Sequence, residues 1–474
     1  MSWLADFVVS HILSIVSFVL AIVLVARAES QRRPTGSTVA WLLAVLFNPY
    51  VGIPLYLFLG GRKLKQRAAA KDKLHRPTHP SPPSPAAVES HGPIARMLCA
   101  SGAGAPTAGN HVALLPTGEL SYAAVVEAIE SAERTIDIST LIFANDEVGD
   151  AIAQKLVAKA QQGVQVRLLI DALFEYLSSH KQMGLLHAGG VHVAWFMPLG
   201  SITRRGSANL RLHRKAILVD DRLAIVGGMN IATEYMGETP SPKRWRDLSA
   251  RVTGPCVSDI ASIFRADWAF AAGEKLVEPP PEAARPAPAS PVPTSDGDVT
   301  IQVVGSGPDV ESDLIYDAVL SSVFTAKRRL WIATPYFVPD EALVRGLALA
   351  VRRGVDVCIV VPKVSNHLTA DLAGASYLRD LDRIGARIRC YAPGMMHAKL
   401  VIVDDDLGIL GSANMDMRSF FLDYEIALFI ESVAEIQAMA RWLEELLPTS
   451  VDLTTPGPIR RWIESAARLL APLE

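Results

Sequence analysis

Two stretches of this chain place the same reactive side chains at the same spacing. HRKAILVDDRLAIVGGMN carries His213, Lys215 and Asp220, and HAKLVIVDDDLGILGSAN carries His397, Lys399 and Asp404. Fifteen positions after each histidine stands a small residue, Gly228 or Ser412, and two positions later an asparagine, Asn230 or Asn414. A match this long is an internal repeat. Two imidazoles with two ammonium groups suit a phosphodiester. A neutral imidazole can attack phosphorus and become a phosphohistidine, and a protonated one can donate to the leaving alkoxide. Lys and Asn would steady the charge on the equatorial oxygens. The scheme calls for no metal and no cofactor.

The runs after each histidine, Ala216 to Val219 and Leu400 to Val403, are short and β-branched, as buried strands are. Residues two apart in a strand share a face, so His213 and Lys215 point together, as do His397 and Lys399. Asp220 and Asp404 fall on the other face or in the turn that Asp-Asp suggests. They complete the two catalytic triplets as supports. The strands that follow run into Gly227-Gly228 and Gly411-Ser412, where small residues would let an anion approach the backbone.

With its flanking segments NLRLHRKAILVDD, GGMNIATEY, IATPYFVPDEAL and PGMMHAKLVIVDD, the chain resembles the phospholipase D superfamily, and within it the bacterial cardiolipin synthases. The resemblance implies two pseudo-symmetric αβα sandwich halves of α/β type that share one active site. It implies a phosphatidyl transfer between two phosphatidylglycerols with release of glycerol, His213 as nucleophile and His397 as acid. The exchange of these two roles stays open. It also assigns Glu425 and Asp247 to orienting the histidines. Hydrolysis to phosphatidic acid is the alternative reading. The family's tyrosine is missing at Leu141, and Asn366 stands where an aspartate is common, so acceptor specificity stays open.

The rest of the chain frames these motifs. Phe7 to Ala26 and Val39 to Gly60 are uncharged runs long enough to cross a hydrocarbon core of about 30 Å. The second holds Pro49, Gly52 and Pro54, so it either spans with a kink or re-enters. Together they form an N-terminal transmembrane hairpin in residues 1–75. The basic cluster from Arg62 to Arg76 keeps the catalytic halves on the cytoplasmic side of a bacterial inner membrane. A Pro-rich tether (76–93) leads to the first half (94–276), and a linker with seven prolines (277–296) to the second (297–474). A net charge of −3 argues against a nucleic-acid partner and leaves phospholipid and membrane. Four scattered cysteines form neither a disulfide framework nor a zinc site. Oligomeric state stays open. Near the C-terminus, Ile459, Trp462, Ile463, Ala466 and Leu470 share one helical face. That helix either lies in a membrane interface or packs on the second half.

Overall fold

The computed structural model describes residues 91–177, 179–197, 210–274, 299–310 and 312–470, with a few isolated positions nearer the N-terminus. The expected hairpin, most of the tether and the linker lie outside the described residues. Among the described residues, no helix is long and apolar enough to cross a membrane.

The first half contributes β1 (Thr107–Leu115), β2 (Thr135–Thr140), β3 (Gln165–Asp171), β4 (His192–Phe196), β5 (Ala216–Val219), β6 (Leu223–Gly227) and β7 (Ser249–Thr253). The second contributes β8 (Val299–Ser306), β9 (Arg329–Ala333), β10 (Phe337–Val338), β11 (Asp356–Pro362), β12 (Arg387–Tyr391), β13 (Leu400–Val403), β14 (Leu407–Gly411), β15 (Met415–Asp416), β16 (Glu425–Glu431) and β17 (Ser450–Asp452). All but β10 and β15 join one sheet, in the order β17-β12-β11-β9-β13-β14-β16-β8-β1-β7-β6-β5-β2-β3-β4.

The antiparallel pair β1–β8 is the seam. Read outward from it, β1-β7-β6-β5-β2-β3-β4 and β8-β16-β14-β13-β9-β11-β12 repeat one plan, with β17 added at the far edge. This is the pseudo-two-fold arrangement that the sequence repeat implies. The outer strands β2, β3 and β4 are parallel and linked by the helices Glu147–Gln161 and His180–Ala188, as crossover connections require. β5, β6, β13 and β14 are buried along their whole length, which explains their unbroken apolar runs. One apolar cluster crosses the seam, with Val112, Val252 and Phe264 from the first half and Val303, Leu410 and Leu428 from the second.

The runs Ala216 to Val219 and Leu400 to Val403 are strands at the expected bounds. β2 stops at Thr140. There the Asn230 side-chain oxygen accepts the Ile142 N–H at 3.3 Å, and the Thr140 hydroxyl donates to the Ile142 carbonyl at 2.9 Å. The site's own asparagine thus bends the strand end out of the ladder.

Candidate active site

Each histidine segment is held by the opposite half. His213 donates its backbone N–H to the Tyr424 carbonyl at 3.0 Å, and Tyr424 donates to the Arg211 carbonyl at 2.8 Å. In the mirrored place His397 donates to the Arg246 carbonyl and Arg246 to the Met395 carbonyl, both at 2.8 Å. These cross-half pairings carry two acids to two imidazoles. His213 Nδ1 lies 2.7 Å from Glu425 Oε1, and His397 Nδ1 lies 2.8 Å from Asp247 Oδ2. A carboxylate at Nδ1 keeps the proton there and leaves the Nε2 lone pair available. The sequence pointed to Glu425 and Asp247 but did not say which histidine each one serves. The structure crosses them.

The lysines fold back onto their own histidines. Lys215 Nζ donates to the His213 carbonyl at 2.7 Å, and Lys399 Nζ donates to the His397 carbonyl and lies 3.1 Å from His397 Nε2. Both lysines are buried. Burial lowers Lys215 to about 8 and Lys399 to about 7, against the pull of Glu425 and Asp247. Burial also depresses His397, to about 3, with Lys399 and Lys215 adding to the effect and Asp247 opposing it. His213 is held well below its usual range by burial and then by Lys215, Lys399 and Arg418. Both lysines therefore act on both imidazoles, as they would in a single shared site.

The two acids differ. Burial pushes Glu425 up to about 7 against Lys215 and the Ser412 hydroxyl, which donates to Glu425 Oε2. Asp247 is also buried, yet its hydrogen bond to His397 and the charges of His397 and Lys399 hold it below the usual carboxylate range. Near neutral pH, His213 thus faces a titrating acid and His397 a fixed anion.

The remaining sequence-marked residues take other tasks. Asp220 and Asp404, expected as supports of the triplets, brace the backbone. Asp220 accepts the backbone N–H groups of Glu133, Arg134 and Thr135 at 2.7–2.9 Å, and Asp404 those of Lys327, Arg328 and Arg329 over the same range. Each sits in a turn at positive φ, 56° and 51°, and ties β5 to β2 or β13 to β9. Burial alone would raise both carboxyls, but the three amides outweigh it and lower them.

Gly228 is small for a packing reason. A Cβ there would come within 2.5 Å of an Asp247 carboxylate oxygen, so this acid, and not an open backbone cradle, occupies the space. Ser412 serves Glu425 as described. Asn230 is engaged internally, through Ile142 and through a hydrogen bond with the Tyr235 hydroxyl. Asn414 is buried, and its Oδ1 has no hydrogen-bond partner among the described residues, so it remains available to a ligand.

Sequence reasoning missed Tyr235 and Trp245 among the walls of the site. Around His397 stand the rings of Tyr235, Trp245 and Tyr336, with centroids 5.2, 5.3 and 6.4 Å away. Trp245 and Asp423 each precede an orienting acid by two residues, so the repeat makes them equivalent. Asp423 is buried, pairs with Arg418 at 3.3 Å, and is raised by burial to about 8 despite that arginine. Aligning WRD with DYE would have shown this break in symmetry. Arg211 makes a structural ion pair with Asp171 at 3.0 Å. Among the described residues, no group of three or more His, Cys, Asp and Glu side chains could hold a metal ion.

The family model described as "Cardiolipin synthase, PLD-like domain" matches residues 125–268 and 320–447, one segment in each half. The chain belongs to this family. A "Phospholipase_D-nuclease N-terminal" model matches residues 15–61. A cardiolipin synthase of Geobacillus kaustophilus is 33% identical, with 94% of this chain and 90% of that protein covered. A cardiolipin synthase A of Pseudomonas putida KT2440 is also 33% identical, over 98% of this chain and 96% of that one. A phosphatidylserine synthase of Haemophilus influenzae superposes with a TM-score of 0.58 at 18% identity, covering 76% of this chain and 94% of that chain. That likeness supports the paired-half fold alone.

Proposed function

We propose that the chain is a phosphatidyltransferase that makes cardiolipin. The observation that carries this is the pair of imidazoles, each tied through Nδ1 to an acid of the opposite half and both under the influence of the same two lysines. His213 Nε2 attacks the phosphorus of one phosphatidylglycerol. The bond to the glycerol oxygen breaks, and His397 gives that oxygen its proton. A hydroxyl of a second phosphatidylglycerol then returns a proton to His397 and attacks the phosphorus, and the P–N bond breaks. The roles follow from the acids. An ionised Asp247 opposes the burial and the Lys399 charge that depress His397, and so favours the imidazolium that a general acid must carry. Glu425, titrating near neutrality, favours a neutral His213. Lys215 and Lys399 are the groups for the phosphoryl oxygens, and the Asn414 Oδ1 can accept from a substrate hydroxyl.

The first 75 residues form a membrane hairpin that holds the halves against the cytoplasmic face of the bacterial inner membrane. The uncharged runs in the sequence and the N-terminal match over residues 15–61 support this. Mass spectrometry of the products from phosphatidylglycerol alone tests the function. Cardiolipin and free glycerol should appear in equal amounts. Phosphatidic acid as the main product would replace transfer with hydrolysis.

A further inference from the structure

The helix Pro458–Leu470 meets the body with its charged side. Glu464, 1% exposed, pairs with Arg379 and, at 3.0 Å, with Arg460. Arg468 pairs with Asp380 at 2.9 Å and lies 4.1 Å above the Tyr377 ring. All three body residues belong to the helix Leu368–Arg383. The apolar side faces outward, with Ile459 78%, Trp462 74% and Ile463 43% exposed. Rolling the helix over would strand the buried Glu464 carboxylate, so the orientation is fixed by charge. The helix therefore packs on the second half and still presents its apolar stripe.

Arg460 and Arg461 flank that stripe and are exposed. A second copy of the chain docked symmetrically would bring these arginines against their own kind. Anionic headgroups would neutralise them while the acyl boundary takes up Trp462 and the isoleucines. The supporting helix also reaches the cleft. Asn366, just before it, accepts the Tyr336 hydroxyl at 2.6 Å, and Tyr336 faces His397. At that mouth Val364 and Leu368 are each 71% exposed.

We propose that the outward face of Pro458–Leu470 is a seat on an anionic phospholipid bilayer, which sets the cleft at the lipid surface. This rests on reading the substrate as a bilayer phospholipid. In the full chain with Cys99→Ser, leaving the buried Cys256, Cys358 and Cys390, a fluorophore is attached at Trp462→Cys or, as a control, at Asp406→Cys. The protein is reconstituted in equimolar phosphatidylcholine–phosphatidylglycerol vesicles that carry doxyl-labelled lipid. The seat requires quenching at position 462, loss of most of it in phosphatidylcholine alone, and none at 406. An unquenched 462 probe in active vesicles overturns the proposal, whether the face is covered by a second copy, revealed by 462–462 cross-links, or by this chain's own N-terminal runs. A double variant, Ile459→Ser with Trp462→Ser, should lose about tenfold in bilayer turnover and keep its turnover on short-chain phosphatidylglycerol in detergent. Equal loss in both assays would make the face a packing surface and also overturn the proposal. Phosphatidic acid as product with quenching intact would refute the transferase reading and leave the seat standing.

Discussion

Glu425→Gln separates the site's chemistry from its stability. The substitution keeps the volume but replaces the acceptor of the 2.7 Å contact to His213 Nδ1 with an amide that can itself donate. The imidazole is then free to carry its proton on Nε2, the atom that attacks in the proposed transfer. Fixing the wrong tautomer in a comparable His–carboxylate arrangement costs about 10⁴ in kcat, and a loss of about 10³–10⁴ is expected here. The stability effect follows from the raised acid. Glu425 moves from 4.5 to about 7 on folding, so the folded chain binds the extra proton between those values. Its contribution is fully present below about 4.5 and is lost as pH rises through about 7. A shift of this size is worth about 3 kcal/mol. The unfolding free energy of the wild type should therefore fall by that amount, relative to Glu425→Gln, between pH 4.5 and 8. The acidic limb of kcat/KM near 7 should vanish in whatever activity the variant retains. The assays are phosphatidylglycerol turnover and thermal unfolding in detergent across pH. Turnover within tenfold of wild type, or parallel stability curves, would refute the assigned role of Glu425.

Other consequences are direct. His213→Ala and His397→Ala should each abolish turnover instead of halving it, and half activity in either would mean two independent sites. Asp404→Ala removes the acceptor of three amides and should lower stability by about 4 kcal/mol, read by denaturant titration, while kcat of the folded fraction stays near normal. Gly228→Ala pushes a methyl group against Asp247 and should cost roughly 100-fold in kcat by displacing the acid from His397. Loss of the ammonium charge on Lys399 near 7 and Lys215 near 8 should impose a basic limb on kcat/KM, and Lys399→Arg should move it upward.

The duplicated triplets made the reactive groups legible, because a repeat needs only local spacing. The strands around them were legible from β-branched runs. The crossing of the acids was not, since His213 and Glu425 stand 212 positions apart and His397 and Asp247 150 apart. No local pattern encodes which of two pseudo-equivalent partners a side chain meets. What Asp220 and Asp404 support was not legible either. Their constant place in the motif is shared with the reactive residues, but a turn at positive φ sends each carboxylate to the backbone amides of the adjoining strand. The C-terminal helix exposed a further limit. Its amphipathic pattern is the same whichever face packs, and only the ion pairs with Arg379 and Asp380 decide the matter.

The crossing also explains why the unit is duplicated. A lone half would hold a histidine and a lysine but no acid at Nδ1, because each acid is delivered by the strand pairing of the other half. Two identical halves would then give two identical imidazoles, and transfer through phosphohistidine needs unequal ones. The inequality enters at matched positions: Asp247 against Glu425, Gly228 against Ser412, Trp245 against Asp423. The shorter acid, packed against a glycine, stays ionised beside an imidazole walled by aromatic rings. The longer acid, bonded to a serine, titrates near neutrality beside charged neighbours. Exchanging one matched pair at a time should therefore shift the pH limbs before it destroys the fold, with Ser412→Gly raising the acidic limb by removing a donor from Glu425. An acidic limb that stays in place in that variant would mean that the asymmetry arises elsewhere.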